Sequence, residues 1–229
     1  MEIKETQPEL LAHPYTEAGL KEQAISHWQK AGQRATQRSA NIEAISHLTK
    51  GLALLNTLPD SPMRTQNELM LQIALGAPLI ATKGFAAPEV GTVFTQARAL
   101  CQQVGETPQL FPVLMGLRLF YTVRGELQTA RELSKQLLRL AQGVQNPAYL
   151  MGAHYALGVP LFLLGEFAFA RAHLEQSLAL YDPRQHHSHT FLYGQDPGIA
   201  CLSVLFSVLW VLGYPDQALQ KSRDAITLA

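Results

Sequence analysis

The sequence predicts an all-α protein, a right-handed α-solenoid of about five stacked helical hairpins. One observation is a shared pattern in three segments, in which an alanine follows a glycine at an offset of five. The pairs are Gly125 and Ala130, Gly165 and Ala170, and Gly213 and Ala218. After each glycine, apolar residues recur at i, i+3, i+4 and i+7, the period of an amphipathic helix. A short glycine turn followed by a helix therefore occurs three times.

A second helical segment precedes each of these glycines, and each begins at a proline: Pro108, Pro147 and Pro197. Proline suits the first turn of a helix, where its missing N–H would have no partner in any case. The repeating unit is therefore a helix, a short turn and a second helix.

Within the unit, a position in the first helix precedes the alanine of the second helix by twelve residues in four places. These pairs are Gly32 and Ala44, Arg118 and Ala130, Gly158 and Ala170, and Phe206 and Ala218. Small residues at such positions let the backbones of two helices approach closely. We expect the pairs to mark the crossing points of the hairpins.

The openings Trp28-x2-Ala31-Gly32 and His154-x2-Leu157-Gly158 resemble the tetratricopeptide (TPR) pattern W-x2-L-G. The phrases "YTEAGLKEQAISHWQKAGQRA", "EAISHLTKGLALLNTLPD", "GELQTARELSKQLLRLAQ" and "LYGQDPG" are similar to the TPR-like repeat region of large bacterial signal-transduction ATPases, which follow a cyclase or kinase module. This resemblance covers about residues 8–229. It implies a fragment of a longer signalling protein whose ATPase core lies elsewhere, since no GxxxxGK[ST] motif occurs here. The lack of a disulfide framework separately predicts a cytoplasmic protein.

We expect one TPR-like repeat domain over 1–229. Its predicted parts are a leading cap segment at 1–18 and hairpins at 19–59, 64–105, 108–143, 147–182 and 197–229. The 64–105 hairpin fits the twelve-residue spacing poorly and is interpreted as a degenerate repeat.

Composition excludes several function classes. Lys+Arg and Asp+Glu are equal at 18 each, which argues against a nucleic-acid or anionic-membrane partner. The longest apolar run, 199–213, is shorter than the roughly 20 residues of a membrane span. Cys101 and Cys201 lie in apolar helical patterns and are expected to be buried free thiols. No G-x-S-x-G or H-E-x-x-H motif occurs, so we expect no enzyme, no catalytic residue and no cofactor.

The polar stretch 181–198 contains His186, His187 and His189. A zinc site usually needs four ligands, and no cysteine pair is near, so no metal is expected. The stretch is interpreted as a connector about eight residues longer than the preceding one. A second interpretation stays open, because long loops are often functional. In it the loop closes a small-ligand pocket, formed by His186, His187, His189, Phe191, Tyr193 and Asp196.

In TPR arrays the first helix of each hairpin lines a concave groove, so spacing predicts the groove residues. They are Met115, Leu119, Tyr155, Val159, Phe162, Ser203, Ser207 and Trp210. This apolar and aromatic set suits an amphipathic helix or an adjacent domain, unless the curvature of the array covers it. We therefore expect a non-catalytic protein–protein interaction and regulatory module, whose partner is a protein, a peptide or the adjacent ATPase domain. The alternative is a small-ligand sensor.

Three further expectations concern single positions. Glu126 and Glu166 follow turn glycines, and we expect their carboxylates to stabilise the N-termini of the following helices by interacting with the helix dipole. Arg131 and Arg171 recur one position after the crossing alanine and are interpreted as solvated helix faces. The last helix carries an apolar face, and we expect it to form a homodimer contact. Its residues are Leu219, Ile226 and Leu228.

Overall fold

A computed structural model describes residues 7–105, 107–183 and 196–228. All the regular structure in these ranges is helical, without a strand, and confirms the predicted fold class. The eleven described helices are α1 Glu9–Glu17, α2 Lys21–Gln37, α3 Asn41–Leu55, α4 Pro62–Lys83, α5 Pro88–Val104, α6 Leu110–Val123, α7 Leu127–Val144, α8 Pro147–Leu163, α9 Phe167–Ala179, α10 Pro197–Val211 and α11 Pro215–Leu228.

After α1, the helices α2/α3 and α4/α5 pack as hairpins in one part of the chain, and α8/α9 and α10/α11 pack as hairpins in the other. The chain divides into two compact units, Met1–Phe120 and Tyr121–Ala229, called the first and the second unit below. The single-domain organisation and its boundaries stay a prediction. None of the described helices is both long and apolar enough to cross a bilayer.

The predicted glycine turns are present. Gly125, Gly165 and Gly213 have φ of 77°, 81° and 82°, in the left-handed region where a side chain would be strained. After Gly125, the N–H of Glu126 donates to the carbonyl oxygen of Tyr121 at 2.9 Å, and the turns at Gly165 and Gly213 close in the same way. This is the Schellman ending of a helix, and it reverses the chain within a few residues.

Helix crossings occur where the sequence pattern places them. A Cβ added to Gly32 would lie 2.4 Å from Cγ of Leu48, and one added to Gly158 would lie 2.7 Å from Cγ of Leu174. In both hairpins the leucine follows the glycine by sixteen residues (32 to 48, 158 to 174) and is fully buried. The missing side chain of the glycine is thus the space that the leucine fills.

Two other repeats carry the reverse order of residue sizes at these two positions. Where Arg118 and Phe206 replace the glycine, the residue sixteen positions later is Ser134 or Ser222 instead of leucine. Ser134 is fully buried, and its hydroxyl donates to the carbonyl oxygens of Ala130 and Ala156, both at 2.8 Å. In the last hairpin, the large Phe206 of α10 and the small Ser222 of α11 lie beside the same opening.

The degenerate hairpin α4/α5 uses a different pair. A Cβ on Gly76 would lie 2.5 Å from Cζ of Phe94, so a phenylalanine fills the space that leucine fills elsewhere. This ring also lies against Gly116 of α6 in the same unit. The glycine–phenylalanine pair has a different spacing, which explains why the twelve-residue pattern fits this hairpin poorly.

Candidate functional site

The second unit presents six of the predicted groove residues on its first helices. We call them the first-helix face: Tyr155, Val159 and Phe162 on α8, and Ser203, Ser207 and Trp210 on α10. Tyr155, Val159 and Phe162 are half-buried, whereas the side chain of Trp210 is 61% exposed. No Asp, Glu, Lys or Arg occurs in α8 or α10. An exposed indole on an uncharged helix is the most accessible apolar feature of this face.

The two serine hydroxyls of this face donate hydrogen bonds to backbone carbonyls of their own helix. The Ser203 hydroxyl donates to the Ile199 carbonyl at 2.8 Å, and the Ser207 hydroxyl donates to the Ser203 carbonyl at 3.3 Å. Each bond lies within α10, which is a common arrangement for serine inside a helix. Because the hydroxyls are used along the helix axis, the serines add little polarity to the face.

Aromatic contacts orient the large side chains of the face. The Trp210 and Phe206 rings lie 6.5 Å apart on successive turns of α10, and Phe162 contacts Phe167 at 5.9 Å between ring centroids. Phe162, Phe167 and Phe206 also pack on the buried core of the second unit. The aromatic surface is therefore supported from below by packed side chains.

Met115 and Leu119, the other two predicted groove residues, belong to the first unit. Met115 is buried, and its Sδ accepts a bond from Nη2 of Arg118 at 3.4 Å, while Leu119 is half-buried. These two residues offer much less surface than Trp210. The accessible part of the predicted groove therefore lies in the second unit.

Of the predicted loop residues, only Asp196 lies within the described part of the chain. Its Oδ1 accepts from the N–H groups of Gly198 and Ile199 at 2.8 and 3.1 Å, so it caps α10. The Tyr181 hydroxyl donates to both carboxylate oxygens, at 2.9 and 3.0 Å. This clasp joins the residues on the two sides of 184–195. Burial and the Asp196 carboxylate raise the pKa of Tyr181 to about 12.

His186, His187, His189, Phe191 and Tyr193 fall outside the described residues. Among the described ones, no three or more His, Cys, Asp or Glu side chains are grouped so that they could hold a metal ion.

A histidine pair that the sequence did not predict bridges α8 and α9. Nδ1 of His154 lies 3.0 Å from Nδ1 of His173, and the ring centroids are 5.2 Å apart. This centroid distance is close to the largest that such an N···N contact allows, so the nitrogens point at each other. One ring must donate and the other accept. Burial lowers the pKa of both rings, and the charge of His173 lowers that of His154 further.

Arg131 and Arg171 are not simply solvated, which corrects the expectation from sequence. Nη1 of Arg131 donates to Oε1 of Glu166 at 2.8 Å, which joins α7 to the turn before α9. Arg171 lies over the Tyr214 ring at 4.9 Å and donates to Gln217 at 3.3 Å, which joins α9 to the last hairpin. The two arginines form an inter-hairpin ladder.

The acidic residues after the turn glycines occupy N-cap positions. Neither Glu126 nor Glu166 accepts a side-chain capping bond. Glu166 serves the ladder instead, and Glu126 pairs with Arg124 at 3.2 Å.

The outer face of the last hairpin contains an open groove of about 330 Å³ between α10 and α11. Its lining carries no charge and consists of Ile199, Ser203, Phe206, Ser222, Ala225 and Ile226. Ile226 is 74% exposed, and Leu219 on the same helix is 49% exposed. This apolar groove adjoins the first-helix face, because Ser203 belongs to both.

Sequence reasoning missed the ladder, the histidine pair and the groove. The ladder had a sequence signal, because both of its residue types recur at the repeat length. Arg131 and Arg171 are forty residues apart, and so are Glu126 and Glu166. The histidine pair also had a signal, because His154 lies one turn before Gly158 and His173 lies one turn after Ala170, the two residues that mark the crossing of this hairpin. The groove had a partial signal, because Phe206, which lines it, stands where two other repeats have a glycine.

Comparison with known proteins gives a fold but no family. No family model matches the chain. An uncharacterized protein of Rhizobium meliloti (strain 1021) is 25% identical over 206 residues, which is 89% of this chain and 20% of that protein. The chain therefore spans about a fifth of the length of the curated relative it matches.

Solved structures of helical-repeat proteins superpose on most of the chain. BtubC from P. vanneervenii has a TM-score of 0.73 at 12% identity, covering 97% of this chain and 86% of its own. The apo form of RapI has a TM-score of 0.72 at 16% identity, with 90% and 70% covered. A Podosopora anserina putative kinesin light chain with TPR-like repeats has a TM-score of 0.66 at 18% identity, with 89% and 93% covered. The fold of this chain is thus that of TPR-like helical repeat proteins.

Proposed function

We propose that the chain is a non-catalytic protein–protein interaction module that binds an apolar, amphipathic helix on the first-helix face of the second unit. The observation that carries this proposal is Trp210, which is 61% exposed on a helix without charged residues. Burying one large aromatic side chain removes roughly 150–250 Å² from water. A monomer that leaves such a residue exposed on a supported aromatic surface gains from covering it.

The geometry favours a helix over a charged tail. In helix-in-groove recognition an amphipathic helix lays its apolar face on an apolar surface, and Tyr155, Val159, Phe162 and Trp210 supply such a surface here. A charged peptide would need opposite charges, which α8 and α10 do not supply. Tryptophan is also enriched among the residues that dominate binding energy at interfaces.

The proposed context is a larger bacterial signalling protein in the cytoplasm. The chain spans about a fifth of its curated relative, which leaves room there for further domains. Combined with the resemblance to signal-transduction ATPases, this supports an adjacent ATPase domain as one partner. In that role, the module would hold the ATPase inactive until another protein occupies the first-helix face.

The test is selection of helical peptides from a displayed library against the immobilised 229-residue chain. Selected peptides are then titrated into the wild-type chain and its variants by calorimetry, and tryptophan emission is followed in the chains that keep Trp210. The chain has two tryptophans, and the other, Trp28, is buried, so a shift in emission reports on Trp210. We expect Trp210→Ala to weaken binding at least about tenfold, as hot-spot truncations do. Ile42→Ala, at an 81% exposed position in the first unit, is the control. Equal binding by both variants would reject this face.

A small-ligand sensor is the second candidate. The bond between Tyr181 and Asp196 favours it, because this bond joins two described residues that lie on either side of 184–195 in the sequence and are close in space. A metabolite library screened by thermal shift tests this candidate. Stabilisation by a metabolite that is lost in Tyr181→Phe would support the sensor, and a screen without any stabilising compound would remove it.

A further inference from the structure

The hairpin α8/α9 brings two imidazole side chains together at positions where side chains also meet in the hairpin α2/α3. His154 precedes His173 by nineteen residues, and Trp28 precedes His47 by the same spacing. The ring centroids are 5.2 Å apart in both pairs, with interplanar angles of 29° and 28°. The contact therefore follows from the hairpin itself, and in α8/α9 both of its members are metal-ligating groups.

The distance between the two nitrogens fits a single metal ion. Nδ1 of His154 lies 3.0 Å from Nδ1 of His173. With metal–nitrogen bonds of about 2.0–2.1 Å, two nitrogens at this distance subtend an angle of about 90–97° at a shared ion. Tetragonal coordination, which Cu²⁺ and Ni²⁺ favour, has such an angle between neighbouring ligands, whereas Zn²⁺ favours a tetrahedral angle of about 109°. The spacing therefore favours Cu²⁺ or Ni²⁺ over Zn²⁺.

The protonation of the pair is compatible with an ion. Burial lowers the pKa of both rings, so both are uncharged at neutral pH. When an ion binds, the proton that one Nδ1 donates to the other leaves it, and Nε2 of the same ring takes up a proton from water to give the other neutral tautomer. Both rings are half-buried. In the described part of the chain, neither Nε2 is a buried atom without a hydrogen-bond partner, so water can reach it.

A small movement of the rings completes the arrangement. Each imidazole must tilt by about 40° to aim its Nδ1 lone pair at the shared ion instead of at the other ring. The χ2 torsion of histidine has a broad energy minimum. A tilt of this size is therefore available to half-buried rings without a change in the two helices.

We propose that His154 and His173 form a two-histidine site for a divalent transition-metal ion, and that the site binds Cu²⁺ more tightly than Ni²⁺. The order of the two ions follows from the general affinity of nitrogen ligands for first-row metals. Water molecules complete the coordination on the exposed side of the rings. The ion ties α8 to α9 and stabilises the folded chain, because the unfolded chain does not hold the two nitrogens together.

Calorimetric titration with copper(II) chloride or nickel(II) chloride near pH 7 tests the site. His186, His187 and His189, which lie outside the described residues, are also metal-ligating groups. The titration therefore uses a chain in which these three histidines are replaced by glutamine, called the background chain. Glycine is added as a weak competing chelator, which removes loosely bound ions. We expect the background chain to take up one equivalent of Cu²⁺ and to bind Ni²⁺ more weakly.

Single replacements in the background chain identify the ligands. His154→Gln and His173→Gln should each weaken Cu²⁺ binding by more than about tenfold, since even the loss of a supporting bond to a ligand costs about that much. His47→Gln, at the equivalent position of α2/α3, is the matched control and should leave the affinity unchanged. His154→Trp keeps a ring at the position and restores the residue pair of α2/α3, so it separates a lost ligand from lost packing. Circular dichroism confirms that the variants stay helical.

Two further readouts report on the bound ion. Electron paramagnetic resonance of the Cu²⁺-loaded background chain should show a tetragonal spectrum with hyperfine splitting from two imidazole nitrogens, and from fewer in His154→Trp. Cu²⁺ should raise the melting temperature of the background chain and not that of His154→Trp. A background chain that takes up no Cu²⁺, unchanged affinity in the variants of His154 and His173, or an equal loss in His47→Gln would overturn the proposal.

Discussion

Replacing Gly158 by alanine tests the helix crossing that organises the second unit. The glycine lies inside α8, and an added Cβ would lie 2.7 Å from Cγ and 2.8 Å from Cδ2 of Leu174, with the Ala170 carbonyl oxygen at 3.5 Å. Ordinary carbon–carbon contacts are about 3.5–4.0 Å. The methyl group therefore needs a shift of about 1 Å in a leucine that is fully buried.

Two opposing terms set the expected magnitude. Alanine in a helix interior is favoured over glycine by about 1 kcal/mol. Overpacking a close-packed site costs about 1–3 kcal/mol, and here the branch point of Leu174 must move, not the end of a flexible chain. We expect Gly158→Ala to lower the free energy of unfolding by about 1 kcal/mol, or the melting temperature by about 2–4 °C at this chain length.

Gly143→Ala is the matched control, because Gly143 also lies in a helix, α7, and no atom lies within 4 Å of an added Cβ. Without the clash only the propensity term remains, reduced near the helix end, so the control should stabilise the protein by about 0.5 kcal/mol. The assay is urea unfolding followed by circular dichroism.

The opposite sign of the two changes is the decisive result. If Gly158→Ala stabilises the protein as much as Gly143→Ala does, the close crossing at Gly158 is wrong. A double-mutant cycle with Leu174→Ala adds a second criterion. The two changes should be less costly together than their sum, by about 1 kcal/mol, because truncating the leucine provides room for the new methyl group.

Three other predictions concern protonation and capping. The lowered pKa values of His154 and His173 mean that the unfolded chain binds more protons than the folded one as pH falls below about 6.5; stability should therefore fall with acidification, and less so in His173→Gln. Asp196→Ala should lower the free energy of unfolding by about 2 kcal/mol, because it removes two capping bonds and the bond from the Tyr181 hydroxyl. Burial raises the pKa of Cys201 to about 12, so its thiol should react with a disulfide reagent only after denaturation; rapid reaction of the native protein would contradict the packing.

The repeat pattern predicted the hairpins because it records packing constraints that act between neighbouring residues. The offset from Gly158 to Ala170 is fixed by one crossing, and the turn at Gly165 is fixed by a backbone conformation that excludes most side chains. Both constraints are local in sequence, so a single chain displays them. The same logic accounts for the poor fit of the 64–105 hairpin, where Phe94 fills the space beside Gly76.

The candidate site was less predictable, because exposure depends on what a neighbouring element covers. The repeat spacing predicted both Met115 and Trp210 as groove residues, although Met115 is buried and Trp210 is exposed. Asp196 appeared to be a loop residue that could serve a pocket, and it is a helix cap held by Tyr181. A carboxylate before Pro-Gly at the start of an apolar helix is a capping signal that sequence analysis could have used.

Two kinds of contact join successive hairpins of the second unit, and they differ in what they can achieve. The arginine ladder is partly exposed, and its ion pair between Arg131 and Glu166 contributes at most about 1 kcal/mol. The buried contact of Leu174 with α10 contributes more, because burying a leucine stabilises by roughly 1.5–3 kcal/mol. The buried apolar contact therefore contributes most of the stability between these hairpins, and the partly exposed ladder contributes less.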